Sequence, residues 1–100
     1  MTHETIESAA RDVLRRYPVR RAALFGSAAR DAMTEQSDID ILVEFLPGRG
    51  GIGFEFFGLQ GDLEEALNRR VDLITFHSLA RAKPAFRETV EKDAKLIYER

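Results

Sequence analysis

Three acids and one small-residue turn in this 100-residue chain carry residue types that suit phosphate chemistry. The acids stand in Ser37-Asp38-Ile39-Asp40-Ile41-Leu42-Val43 and in Arg70-Val71-Asp72-Leu73-Ile74-Thr75, and the turn is Gly26-Ser27, after Leu24-Phe25. Asp38 and Asp40 alternate with apolar residues, and on a strand alternate side chains share a face. Two carboxylates that close either share a proton or hold a cation. Magnesium, which prefers hard oxygen ligands, is the natural occupant. Asp72 is an acid inside an otherwise apolar strand, a costly placement unless the carboxylate is paired or metal-bound. As a third carboxylate it would complete the ion shell and stand ready to take a proton from an acceptor hydroxyl. Transfer of a nucleotide from a nucleoside triphosphate asks for such a set, with two divalent ions about 3.5–4 Å apart on the attacking and leaving oxygens. Gly26 lets the backbone approach a phosphate closely, and the helix after it offers unsatisfied N–H groups. The Ser27 hydroxyl adds a donor. Arg30 lies within reach of the same phosphates, or is a surface arginine.

The elements that must position these residues follow from apolar spacing. Ile6, Ala9, Ala10, Val13, Leu14 and Tyr17 form one stripe of a helix over residues 5–17, which Pro18 stops. Arg20 to Phe25 reads as a strand leading into the turn at Gly26, with a brief helix over 28–32. Ile39 to Phe45 is a second strand with Ile39, Ile41 and Val43 on the core face, ended by Pro47. Phe54 to Leu67 has helical spacing, Val71 to Thr75 is a third strand, and Pro84 suits the first turn of a helix over 84–92. Ala94 to Tyr98 is a short fourth strand. The fold class expected is α/β, describable also as α+β: a small mixed sheet flanked by helices, in one domain spanning residues 1–100. One face of the sheet should be covered while part of the other stays open around the acids.

Composition narrows the class further. With 44% hydrophobic and 32% charged residues, no cysteine and no apolar run of membrane-spanning length, the chain reads as a soluble globular protein of the cytoplasm. A net charge of −2 gives no general attraction to nucleic acid. The arginines Arg11, Arg15, Arg16, Arg20, Arg21 and Arg30 make the first third basic, either as a solvated face or as a docking surface for an anionic ligand or protein.

Taken together, Leu24-Phe25-Gly26-Ser27-Ala28-Ala29-Arg30, Ser37-Asp38-Ile39-Asp40-Ile41-Leu42-Val43 and Val71-Asp72-Leu73-Ile74-Thr75 resemble the signature of nucleotidyltransferases related to DNA polymerase β, in particular the minimal ones. The resemblance extends from about Arg20 to Glu99. It implies a nucleotidyltransferase core, two magnesium ions on Asp38, Asp40 and Asp72, and ATP held through the Gly26-Ser27 turn. Similar minimal proteins are antitoxins that move AMP from ATP to a tyrosine of a helical HEPN ribonuclease toxin. The resemblance thus implies a HEPN-type partner, and an acceptor surface supplied by that partner. One departure is Asn68, where a glycine is expected; asparagine tolerates the left-handed conformation.

Other readings stand beside this one. The chain could silence its partner by occlusion with an idle site. Gly48-Arg49-Gly50-Gly51-Ile52-Gly53 satisfies G-x-G-x-x-G, but a dinucleotide fold needs two βαβ halves and its ribose acid at the far end of a strand. A loop near the acids without catalytic role fits better. Phe54, Phe56, Phe57 and Leu59 mark a core stripe or a partner groove, and Ser78 reads as a turn residue. His3 and His77 have no metal-ligand company.

Overall fold

Ile39, Ile41 and Val43 are all withdrawn from solvent, and their alternation with Asp40 and Leu42 makes the strand around which the chain is built. The computed structural model describes residues 3–29, 37–48 and 53–100. The order is α1 (His3–Leu14), β1 (Val19–Phe25), α2 (Gly26–Ala29), β2 (Ile39–Phe45), α3 (Phe54–Leu67), β3 (Val71–Thr75), α4 (Phe76–Ala80), α5 (Pro84–Asp93) and β4 (Lys95–Glu99). The strands form one four-stranded mixed sheet in the order β3-β2-β1-β4, with β1 antiparallel to β2 and β4, and β2 parallel to β3. The parallel pair is joined through α3, because parallel neighbours need a crossover long enough to return the chain to the same end of the sheet.

One face of the sheet buries Ala22, Leu24, Ile39, Ile41 and Val43 against Ile6, Ala10, Val13 and Leu14 of α1 and Leu59, Leu63 and Leu67 of α3. Burying a leucine fully is worth about 1.5–3 kcal/mol, so these three hold α3 on the sheet. On the other face Ala23, Phe25 and Leu42 meet Leu79 of α4 and Val90 of α5. That cover reaches the middle of the face; at the acid end Asp38 and Asp72 are exposed, as the sequence suggested. No helix among the described residues is long and apolar enough to cross a membrane.

The chain differs from expectation at several edges. The first helix ends at Leu14, and the periodic stripe runs on to Tyr17 through tighter turns, with Arg16 N–H on Val13 O and Tyr17 N–H on Leu14 O. The helix after the turn begins at Gly26; residues 30–36, and with them the expected end of that helix, lie outside the described residues. Helix α4 was not foreseen. Thr75 Oγ1 accepts the Ser78 N–H at 3.0 Å and caps it, so Ser78 sits inside a short helix. Residues 49–52 lie outside the described residues, and with them the expectation of a glycine-rich loop near the acids; Gly48 follows β2 at its carboxyl end. A sheet with antiparallel neighbours also rules out the doubly wound dinucleotide arrangement.

Arginines of the first third are largely spoken for: Arg11 meets Glu7, Arg15 meets Asp12, and Arg20 and Arg21 meet Glu44. Glu7 is 8% exposed, and its carboxylate also accepts from Lys95 Nζ at 2.8 Å, while Arg11 Nε donates to Ile97 O. A buried carboxylate needs such company, and the result ties α1 to β4.

Tyr17 ties the end of α1 to α3. Its hydroxyl donates to Asp62 Oδ2 at 2.5 Å, and its ring lies against Gly58, where a Cβ would come within 3.1 Å of the Oη. Burial, then the hydrogen bond to Asp62 and its negative charge, push the phenol up from 10.0 to about 12, with Arg16 opposing. Because the folded state holds this proton more tightly, the bond's contribution is whole below pH 10 and is lost as pH rises through about 12. Tyr17→Phe is expected to lower stability at pH 7 by about 1 kcal/mol. Urea titrations of both chains should converge as pH rises through that window.

Candidate active site

The acids are brought together by register. In the parallel pair Ile39 lies opposite Val71 and Asp40 opposite Asp72, so the two aspartates are direct neighbours on one face, about 4.8 Å apart along the sheet. Asp40 also lies opposite Phe25, the last residue of β1, which delivers Gly26 to the same spot. Asp38 stands just before β2 and is exposed; Asp40 is half-buried and Asp72 exposed. The site is thus a lip at the amino ends of β2 and β3, roofed on one side by the turn into α2.

Gly26 is needed there for two physical reasons. Its φ of 68° is in the left-handed region, and a Cβ on it would fall on Asp40 Oδ2, well inside contact distance, with Asp40 Cγ 3.3 Å away. The Asp40 carboxylate therefore packs directly on the Gly26 backbone. Ser27 follows at the start of α2, half-buried. Arg30 lies outside the described residues.

The donor set fits a hard divalent cation: carboxylate oxygens from adjacent strands with solvent access. Among the described residues no three carboxylate or imidazole groups already converge into a cage. Side chains of exposed residues such as Asp38 and Asp72 change rotamer in picoseconds to nanoseconds, so turning toward Asp40 asks little of the fold.

Other features of the sequence resolve differently. Asn68 has φ 52° and ψ 43° and ends α3 by donating its N–H to Glu64 O, so it fills the place expected of glycine. Arg69, which the motif reading passed over, reaches across to donate from Nη1 to Ser37 O at 3.3 Å and steadies the approach to Asp38. His77 is exposed on α4, away from the acids. A groove of about 870 Å³ opens on the same face at the opposite ends of β2 and β3, lined by Arg21, Leu42, Glu44, Phe76 and Leu79. Arg21 stacks 4.0 Å over the Phe76 ring there. Leu59 belongs to the core and Phe56 packs against it, while Phe54 and Phe57 are 97% and 68% exposed.

Gly26→Ala is expected to leave the chain folded but less stable by about 1–2 kcal/mol, the cost of a left-handed alanine, with the Asp40 carboxylate driven off the turn. Urea unfolding together with a crystal structure of the variant would check both parts.

The family model for the nucleotidyltransferase domain matches residues 6–97. A candidate protein adenylyltransferase of Methanocaldococcus jannaschii is 45% identical over 67 residues, covering 67% of this chain and 70% of the relative. Protein adenylyltransferase MntA of Thermococcus cleftensis is 38% identical over 98 residues, covering 90% and 95%. Among solved structures, a candidate minimal nucleotidyltransferase superposes with a TM-score of 0.74 at 34% identity, covering 95% of both chains. A toxin–antitoxin complex with AMP-PNP contains a chain that superposes at 0.73 with 25% identity, covering 94% of this chain and 73% of that one. With the mixed sheet and its flanking helices as expected, this chain belongs to the nucleotidyltransferase domain family, in its minimal, MntA-like form.

Proposed function

We propose that this chain transfers AMP from ATP to a tyrosine hydroxyl of a partner protein, a HEPN-type toxin, and so acts as the antitoxin of the pair. The observation that carries the reading is the register of Asp40 against Asp72 with Gly26 packed on Asp40. Support comes from the relative named as a protein adenylyltransferase and from the toxin–antitoxin structure that holds AMP-PNP.

In this reading Asp38, Asp40 and Asp72 hold two magnesium ions, which when bound would neutralise the phosphate oxygens and align the acceptor hydroxyl. The Gly26-Ser27 turn, with Arg30, binds the triphosphate through backbone N–H groups and the Ser27 hydroxyl. Asp72, at the solvent edge, accepts the proton as the tyrosine oxygen forms its bond to the α-phosphorus and the α,β-bridging bond breaks to release pyrophosphate. Asp40, against the Gly26 backbone, keeps the carboxylates and the phosphate cradle in one place. The domain as a whole, residues 1–100, supplies the nucleotide half of the site, and the partner brings the acceptor.

A second reading, neutralisation by occlusion alone, draws on the lack of a preassembled three-carboxylate cage among the described residues. The two separate in one experiment. Each of Asp38→Asn, Asp40→Asn and Asp72→Asn is expected to reduce transfer of α-phosphate-labelled ATP into the co-expressed partner by about 10²–10⁴-fold, with the fold kept. A triple variant that still protects cells from the toxin as well as the original chain would favour occlusion.

A further inference from the structure

β3 is an edge strand, and edge strands leave a row of backbone groups without strand partners. In the parallel ladder Ile39 N–H donates to Arg70 O at 2.9 Å, so the groups of Arg70 and Asp72 face β2 and those of Val71 face outward. Both outward groups of Val71 are taken by side chains of α3. The Val71 N–H donates to Glu64 Oε2 at 3.0 Å, and Gln60 Nε2 donates to Val71 O at 3.0 Å. Gln60 and Glu64 are one turn apart on α3, so the helix grips a single residue from two points. Val71 itself is 4% exposed, and the residue that follows it is Asp72.

The end of the helix is fixed at the same place. Glu64 O accepts the N–H of Asn68 and, at 3.3 Å, that of Arg69, so the residue whose side chain grips Val71 also ends α3.

From this geometry we infer that Gln60 and Glu64 are positioning residues: they clamp the backbone of Val71 and so hold Asp72 at the height of Asp40. The inference rests on the proposed role of the aspartates. Like charges abreast on β2 and the edge strand β3 push that edge outward, and the clamp adds to the β2 bonds and the packing of Val71 and Leu73 that resist it. Groups that orient a ligand typically change metal affinity or activity by about 10–100-fold when lost.

The clamp separates two isosteric substitutions that a general packing role would not. Glu64→Gln keeps an acceptor for the Val71 N–H, whereas Gln60→Glu replaces the donor to Val71 O by an oxygen and adds a negative charge, which by itself would favour a cation. The full chain and the variants Glu64→Gln, Glu64→Leu and Gln60→Glu are titrated with Mn²⁺ by electron paramagnetic resonance, and Val71 and Asp72 amide exchange is followed by NMR. Expected are a 10–100-fold loss of Mn²⁺ affinity in Glu64→Leu and Gln60→Glu, faster exchange at Val71 in Glu64→Leu, and near-original behaviour in Glu64→Gln. Should Glu64→Leu fail to fold, Gln60→Glu carries the test alone. Unchanged Mn²⁺ affinity in Gln60→Glu, beside an original chain that binds the ion, would overturn the clamp and leave the proposed function standing. An original chain that neither binds Mn²⁺ nor transfers AMP would overturn the function and the clamp together.

Discussion

Position at the acid end depends on the register of β2, and burial sets that register. Ile39, Ile41 and Val43 are all at 0% exposure on the face covered by α1 and α3. A slip of one residue would turn all three into the opposite face and carry Asp40 into the core, an outcome that the cost of a buried, unpaired carboxylate forbids. With β2 fixed, β1 must end at Phe25 opposite Asp40, and β3 must set Asp72 beside it. The apolar face thus determines where the polar chemistry lies.

Asp40 and Asp72 set two carboxylates abreast on neighbouring strands, and like charges directly opposite disfavour the pairing. The opposing restraint comes from the helices: Tyr17 to Asp62 and the Glu7 pairs seat α1 and α3, and α3 in turn reaches the edge of β3. Membership of the minimal nucleotidyltransferase family fits this economy of one sheet and its crossover helix.

The sheet face opposite α1 and α3 divides into two regions with different character. At the amino ends of β2 and β3 it is acidic and open; at their carboxyl ends it forms the groove where Arg21 is held between Phe76 and Glu44. Leu79 and Val90 fill the space between the two regions. The exposed Phe54 and Phe57 lie at the start of α3, on the side of the sheet that α1 also covers.

By itself the sequence determined the elements that repeat a simple physical pattern. The alternation in Ile39 to Val43, the helical spacing of Leu59, Leu63 and Leu67, and Pro84 at a helix start made β2, α3 and α5 legible, because each depends on neighbours in the chain. The identity of the candidate site residues was legible too, since an acid among apolar strand residues and a glycine before a helix are conspicuous without any structure. Short α4 escaped because its cap, Thr75 with Ser78, resembles an ordinary turn. Only the tertiary structure decided which acids become neighbours: Asp40 and Asp72 are 32 residues apart, and nothing local sets a parallel register. It alone placed Gly26 against Asp40 and turned Gln60 and Glu64 toward Val71. Those contacts join segments that meet only when the sheet closes, and a one-dimensional pattern carries no distance between them.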